Sequence, residues 1–411
     1  MADLARKAAY DALMRVEKDG AFSNLAMSKL RELSALDASF ATALCMGVLE
    51  KRRALDFLIM RHTQKTPDKE LLLLLRLGAF QIFYMDRVPD SASCNETVAI
   101  ARGLFGSKRA GFVNAVLRSL CREKEAAWAA LQEQPAEIRL SFGDGVGAIF
   151  REQYPDNYTQ IMEAFCEKQP LRLRVNNLKT DAHALAARLD AAADGNMLTV
   201  LDRQSEAVRG LDSGEYFVQG YGSQMAVRML GAQAGDTVFD VCACPGGKSL
   251  GAALDMQNRG LVRSMDIHGN KLPLIKKSAE KLGISIIETA VHDARETDPL
   301  LVGKADKVIC DVPCSGLGVI GSKPEIRYKD PAEFAGLYPT QRKILASSAN
   351  YVKPGGTLVY STCTLNKIEN EEIVRGFLAE HDDFSLADEH TFLPFDGSGE
   401  GFYAAKLVRK A

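Results

Sequence analysis

Asp240-Val241-Cys242-Ala243-Cys244-Pro245-Gly246-Gly247-Lys248-Ser249 is the stretch on which the fold assignment turns. It continues an apolar run, Thr237 to Val241, and leads into a helical pattern that begins near Leu250. Paired glycines between a strand and a helix allow close backbone approach, and the amides there can hold a polar or anionic ligand group. A nucleotide-like cofactor is the functional reading of such a turn. Taken alone it is weak evidence, because many strand-to-helix turns carry Gly for steric reasons and the spacing is not that of a phosphate-binding loop.

Toward the C-terminus the same pattern repeats. Short apolar runs at Leu261 to Met265, Ile284 to Val291, Lys307 to Cys310 and Thr357 to Tyr360 end in or near Asp or Gly and are separated by helical segments. This predicts an α/β, Rossmann-like domain with a parallel sheet and crossover helices. The ligand site of such a sheet lies beyond the carboxyl ends of its strands. The second run ends at Asp266, where a carboxylate can accept both ribose hydroxyls, and the third near His292-Asp293-Ala294, placed for an adenine edge. Singly, each Asp is more often a helix cap; together with the glycine turn they describe an adenosine pocket. The fourth run leads into Asp311-Val312-Pro313-Cys314-Ser315-Gly316 and the fifth into Tyr360-Ser361-Thr362-Cys363-Thr364. An isolated buried Cys is usually a small hydrophobe, but two at adjacent strand ends facing one pocket are hard to explain by packing.

Toward the N-terminus the character changes. From Leu4 to about Leu131 apolar residues recur at three- and four-residue spacing, which predicts an all-helical bundle. Pro135 and Gly143-Asp144-Gly145 then punctuate the chain. A mixed segment follows, with a strand-like Leu171-Arg172-Leu173-Arg174-Val175 and a helix near Ala182 to Ala192. The expected division is therefore a helical domain at 1–135, a small α/β linker domain at 136–220 and the Rossmann-like domain at 221–411. There is no low-complexity tract and no internal repeat.

Composition agrees with a folded multidomain protein. The 411 residues are 46% hydrophobic and 25% charged, close to globular averages, and exceed one domain of about 100–200 residues. The most hydrophobic run, Leu71 to Leu75, is broken by Arg76 and falls far short of the roughly 18 residues of a membrane span. The start of the chain, Met1-Ala2-Asp3-Leu4-Ala5-Arg6-Lys7, leads into an amphipathic pattern rather than a secretory signal. A cytoplasmic location and no membrane association are expected. Nine scattered cysteines argue for reduced thiols. The net charge of −2 hides an asymmetry: residues 1–135 carry about +4 and the remainder about −6. Lys51-Arg52-Arg53, Arg102, Lys108, Arg109 and Arg118 supply the excess, which could contact phosphates or form a solvated helical surface.

Taken together the motifs resemble those of the RsmB/Nop/Sun family of RNA 5-methylcytosine methyltransferases. The resemblance rests on residues 311–320, on Lys323-Pro324-Glu325-Ile326-Arg327, and on Tyr360 to Thr364 followed by Glu369-Asn370-Glu371. The first loop is similar to that family's Cys-Ala-Ala-Pro-Gly-Gly-Lys. The helical region, with Asn95-Glu96-Thr97-Val98 and Phe112 to Arg118, resembles the NusB-like RNA-binding domain of the RsmB branch. The likeness covers essentially the whole chain. It implies S-adenosylmethionine as cofactor, small-subunit (16S) ribosomal RNA as partner, and a monomer. It implies further that Cys363 is the nucleophile, that Cys314 assists product release and that Asp311 engages the target base. Cys242, Ala243, Cys244, Pro245, Gly246, Gly247, Lys248, Asp266, Asp293 and Asp311 would line the cofactor site. Cys244 and Val312 stand where the family usually has Ala.

The implied chemistry has a physical reason. Carbon 5 of cytosine is too electron-poor to attack a methyl sulfonium, and addition of a thiolate at carbon 6 makes it enamine-like. An ordinary thiol, with a pKa of about 8.5, needs nearby positive charge to ionise near neutrality; Lys248 is the candidate. Asp311 in its protonated form could relieve charge at the cytosine N3. The base must also be unstacked to be reached, which suits RNA held through shape and basic side chains. Three rival readings differ in class. Zinc could be held by Cys242, Cys244, Cys310 and Cys314, but Cys310 lies within a strand, so no metal is expected. A Cys363/His292 hydrolase lacks an orienting third group. The third is an RNA-binding protein with a non-catalytic methyltransferase fold.

Overall fold

The computed structural model describes residues 3–19, 23–200 and 206–411; Met1 and Ala2, the first residues of the amphipathic start, lie outside them. The chain divides into two compact units. One comprises the residues up to Ala148 together with Ser322–Lys329, the other Ile149–Gly321 and Asp330–Ala411.

The first unit is helical, and its main helices are Leu4–Asp19, Ala35–Glu50, Arg52–Met60, Lys69–Tyr84, Asp90–Arg122 and Lys124–Gln132. Asp68 starts Lys69–Tyr84 by accepting the Leu71 amide at 3.0 Å, which satisfies one of the donors that a helix N-terminus leaves open. Every residue from Leu71 to Ile82 is buried, so this helix is enclosed on all sides. Arg76 is buried with it and is matched by Asp56 at 2.6 and 2.9 Å and by Glu17 at 2.5 Å. Leaving that guanidinium without its carboxylates would cost about 3–5 kcal/mol. Asp90–Arg122 consists of two helical arms joined at Gly106, where φ is 80°. The arms fold back on each other, so that Arg118 donates to Asn95 at 3.1 Å.

The compact helical unit extends past residue 135 to Ala148. Arg53 donates to the Phe142 carbonyl at 2.7 Å and the Ala54 amide to the Ser141 hydroxyl at 2.9 Å, which holds residues 136–148 in the helical unit. The same unit contains Ser322–Lys329, which the sequence division assigns with 221–411. Arg327 is 1% exposed, donates to the carbonyls of Leu140 at 3.0 Å and Glu50 at 3.3 Å, and lies over the Phe142 ring at 4.7 Å. A guanidinium so committed places its segment by packing rather than by chain neighbours.

The second unit holds two sheets. The smaller is built from β1 (Leu171–Val175), β2 (Ala191–Asp194), β3 (Met197–Val200) and β4 (Tyr216–Val218), in the order β2-β3-β1-β4, and all three pairings are antiparallel. The helix read as continuing to Ala192 ends at Leu189: Asp190 takes a left-handed conformation, and the alanines that follow pair with β3. Helix propensity is a weak preference that a strand ladder overrides. Leu173, Val175, Leu185, Leu189, Leu198, Val200 and Tyr216 form the core of this sheet.

The larger sheet contains β5 (Thr237–Asp240), β6 (Leu261–Asp266), β7 (Ile287–Val291), β8 (Ala305–Asp311), β9 (Val352–Thr362), β10 (Phe384–Phe392) and β11 (Phe402–Arg409), in the order β10-β11-β9-β8-β5-β6-β7. The five strands β5 to β9 pair in parallel. A hairpin of β10 and β11 adds antiparallel to β9, an element the sequence reading does not contain. The chain runs from β5 through β6 to β7 and then returns to β8 on the other side of β5. This reversal opens a crevice at the carboxyl ends of β5 and β8.

Candidate active site at the carboxyl ends of the large sheet

Strand register sets the centre of the site. Asp311, the last residue of β8, is paired with Ser361 of β9, so the loops that follow carry Cys314 and Cys363 toward each other. Their sulfurs are 3.3 Å apart, and both cysteines are free thiols. Burial raises the thiols around this site. Burial pushes Cys310 up to about 12 and raises Cys242 well above the usual thiol range. Burial and the Asp266 charge push Cys244 up to about 11. Cys314 is raised well above the usual range by its hydrogen bond to Cys363 and then by burial.

Beside the sulfurs stands an ion pair. Lys248, on the helix Gly247–Asp255, places its ammonium 2.6 Å from an Asp311 carboxylate oxygen. It also donates to the Ser223 hydroxyl at 3.2 Å and lies over the Phe402 ring at 5.3 Å. Burial works against this charge, but Asp311, Asp240 and Cys363 outweigh it and hold the ammonium above the ordinary lysine value. Ser361 donates to the other Asp311 oxygen at 2.7 Å. Asp311 thus meets two donors in an ion pair, whereas the sequence reading gives it a protonated role; its side chain keeps 30% of its surface exposed and remains open to a ligand.

The glycine turn is shaped by close packing. Gly246 has φ 108°, and a Cβ there would come within 3.0 Å of Ile275, so the backbone can turn sharply only without a side chain. Gln219 donates to the Gly247 carbonyl at 2.9 Å. The Ala243 amide donates to Met265 at 2.8 Å, and the Cys244 amide to Asp266 at 3.1 Å, which ties the turn to the end of β6. Pro245 follows Cys244 through a cis peptide. Deeper in, Asp240 accepts from Ser249 at 2.6 Å, and Ser249 accepts from Ser264 at 2.7 Å. The other Asp240 oxygen is buried without a partner, and burial pushes this carboxyl up to about 7. A cradle without side chains, a carboxylate at the end of β6 and an unsatisfied buried acceptor together fit a nucleoside carrying an amino group.

The structure therefore brings together residues 242–248, Asp266, Asp311, Cys314 and Cys363. Asp293 is drawn differently: its carboxylate is held by Arg295 at 2.9, 3.0 and 2.5 Å, which lowers it to about 2. A ligand reaching it would meet an ion pair rather than a free acceptor. His292 is occupied by Tyr351 at 3.0 Å and the Glu296 carbonyl at 2.9 Å. Among the described residues no group of three or more His, Cys, Asp or Glu could hold a metal ion.

Several contributors were not assigned roles from sequence. Gly318 donates to the Cys363 carbonyl at 2.9 Å and accepts from Gly401 at 2.7 Å. Glu400 accepts the Gly222 amide at 2.7 Å. Glu369 and Asn370, visible only as part of a motif, sit fully buried beneath the two cysteine loops.

Comparison with known proteins agrees with this architecture. Residues 227–408 match the family described as 16S rRNA methyltransferase RsmB/F. Residues 3–122 match the NusB family, and 148–200 a ferredoxin-like domain of RsmF/B-like methyltransferases. A probable ribosomal RNA small subunit methyltransferase B of Bacillus subtilis (strain 168) is 36% identical, over 92% of this chain and 89% of the relative. The ribosomal RNA small subunit methyltransferase B of Sodalis glossinidius (strain morsitans) is 30% identical, over 92% and 91%. A methyltransferase homologue protein from Pyrococcus horikoshii superposes with a TM-score of 0.60 at 22% identity, over 67% of this chain and 97% of its own. Another crystal structure aligns over 98% of both chains at TM-score 0.79 and 23% identity. At these identities the structural likeness speaks for the fold. No described helix is long and apolar enough to cross a membrane.

Proposed function

Because the chain belongs to the ribosomal RNA small subunit methyltransferase B family, an S-adenosylmethionine-dependent rRNA methyltransferase family, we propose that it methylates carbon 5 of a cytosine in 16S ribosomal RNA through a covalent bond from Cys363 to carbon 6. The observation that carries this reading is the pair of thiols 3.3 Å apart at the ends of adjacent strands, with the ion pair of the buried Lys248 and the partly exposed Asp311 beside them.

S-adenosylmethionine, when bound, supplies an electrophilic methyl group on a sulfonium. Gly246, Gly247, Asp266 and Asp240 are the residues that would hold it: the first two by open backbone, Asp266 through ribose hydroxyls and Asp240 through its spare acceptor. The Cys363 sulfur, with the Lys248 ammonium nearby to favour its thiolate, adds to carbon 6 and makes carbon 5 nucleophilic. The ring gathers negative charge as that bond forms. Asp311 engages the base edge at N3, and the proton needed there is available from the Lys248–Asp311 pair. Once bonded to carbon 6, Cys363 is a thioether and no longer accepts a hydrogen bond from Cys314, whose proton leaves to water. The Cys314 thiolate takes the carbon-5 proton, N3 returns its proton to the Lys248–Asp311 pair, the carbon 5–carbon 6 double bond re-forms, and Cys363 departs as thiolate.

The test uses purified protein, methyl-labelled S-adenosylmethionine and unmodified 16S rRNA, with bisulfite sequencing of the product. Native protein yields a protected cytosine, Cys363→Ala yields none, and Cys314→Ala accumulates a protein–RNA adduct. Methyl transfer that survives Cys363→Ala, or rapid turnover without adduct in Cys314→Ala, would refute the assignment. Binding without any transfer would favour a non-catalytic RNA-binding protein.

A further inference from the structure

Two thiols in contact pose a question of identity. Nothing in the bonding of a cysteine distinguishes a nucleophile from a base, and a proton shared across 3.3 Å could rest on either sulfur. The surroundings are not symmetric. Glu369 is fully buried, and its carboxylate accepts from the Ser315 amide at 2.9 Å, Gln341 at 2.9 Å and Asn366 at 3.0 Å. Three N–H groups are the partners that an ionised carboxylate takes. Gln341 donates as well to the Pro313 carbonyl at 3.0 Å, so Glu369 and Gln341 grip the residues on both sides of Cys314.

The next residue does the same for the other sulfur. Asn370, also fully buried, accepts from the Thr362 hydroxyl at 2.6 Å and donates to the Thr364 carbonyl at 3.0 Å, which flank Cys363. The hydroxyls of Ser315 and Thr364 are 2.7 Å apart and join the two loops. Tyr360 fixes the clamp from β9 by donating to the Glu369 carbonyl at 2.7 Å. We propose that Glu369 and Asn370 form a positioning clamp that holds Cys314 and Cys363 in contact, and that the Glu369 charge keeps the shared proton on Cys314 so that Cys363 is the attacking sulfur.

The charged and titratable groups around the pair fall on two sides. Glu369 and Tyr360 lie about Cys314, and Lys248, itself paired with Asp311, lies toward Cys363. The hydrogen bond to Cys363, burial, the Cys363 charge and then the Glu369 anion all raise the proton affinity of Cys314, while a cation favours a thiolate. The same asymmetry makes Cys314 the stronger base for the release step. This inference rests on the roles proposed above for the two cysteines, but its readout does not require methyl transfer.

The experiment is limited alkylation of the full-length protein with iodoacetamide across a pH series, with the modified peptides quantified by mass. In native protein near neutrality, label should fall on Cys363 well before Cys314. Glu369→Gln keeps an oxygen for Ser315 and Gln341 but removes the charge, and should shift labelling toward Cys314 and narrow the preference. Glu369→Asp should restore part of it. Preferential labelling of Cys314 in native protein, a measurement that needs no variant, would overturn the proposal. So would an unchanged preference in a folded Glu369→Gln. If selectivity behaves as expected while Cys363→Ala still methylates RNA, the clamp stands and the catalytic assignment fails.

Discussion

Gly318 offers a direct test of how tightly the cysteine loops are set. Its replacement by Ala would place a Cβ 1.8 Å from the Gly401 carbonyl oxygen and 2.9 Å from that of Cys363. Carbon–oxygen contacts settle at about 3.3 Å or more, so the chains must separate by about 1.5 Å at the first contact. Neither obstacle is a side chain that could swing away: one belongs to the residue that leads into β11, the other to the nucleophile candidate itself. Overpacking of this kind costs about 1–3 kcal/mol. The larger effect should be on rate, because a displacement of about 1 Å at reacting groups can cost about a hundredfold. The assay is initial-rate methyl transfer from labelled S-adenosylmethionine to 16S rRNA, with RNA binding and Tm measured on the same samples. The expected outcome is a modest fall in Tm, near-native RNA binding and a loss of about a hundredfold in rate. Gly376→Ala is the matched control. It lies within the helix Glu371–Glu380, has open space at its Cβ, and should be neutral or stabilising by up to about 1 kcal/mol. A Gly318→Ala protein that methylates at a rate close to native would refute the argument that loop spacing is critical.

Two further outcomes follow from buried charges. Asp240, pushed from the usual carboxylate value up to about 7, binds a proton in the folded state that the unfolded chain has already released. Its contribution to stability therefore falls as pH rises from about 4 to about 7, and Asp240→Asn should gain in Tm relative to native protein across that window; a constant difference over the series would count against it. Arg327→Ala removes a buried guanidinium from two carbonyls and the Phe142 ring, and should destabilise the helical unit by about 3 kcal/mol, read by calorimetry, with an unchanged endotherm contradicting the assignment.

What the sequence revealed and concealed follows from how each element is buried. Strands β5, β6, β8 and β9 announce themselves because a parallel sheet covered on both faces needs nearly continuous apolar runs, and Leu358, Val359 and Tyr360 are essentially inaccessible. The hairpin of β10 and β11 carries no such signal: Ser385 to Glu389 are exposed along β10, as suits a polar edge strand. Ala191 and Ala192 read as helix because their preference is local, while β3 is the partner that decides otherwise. Cys314 and Cys363 were legible as a pair because reactive residues gather where strands end. Glu369 and Asn370 were legible as letters only, since their roles depend on donors that arrive from Ser315, Gln341, Thr362 and Thr364. Arg327 was the least legible, because its acceptors lie nearly two hundred residues or more away in sequence.

The excursion of Ser322–Lys329 bears on how this protein can be taken apart. The backbone crosses from one unit to the other three times, after Ala148, after Gly321 and after Lys329. A fragment that stops at Ala148 leaves the carbonyls of Leu140 and Glu50 without their cation and bares one face of Phe142. The complementary fragment keeps an eight-residue excursion whose arginine has lost its socket. Neither piece is a self-sufficient module, so dissection, domain exchange between relatives and gene fusion all need to carry this short segment along with the helices it completes.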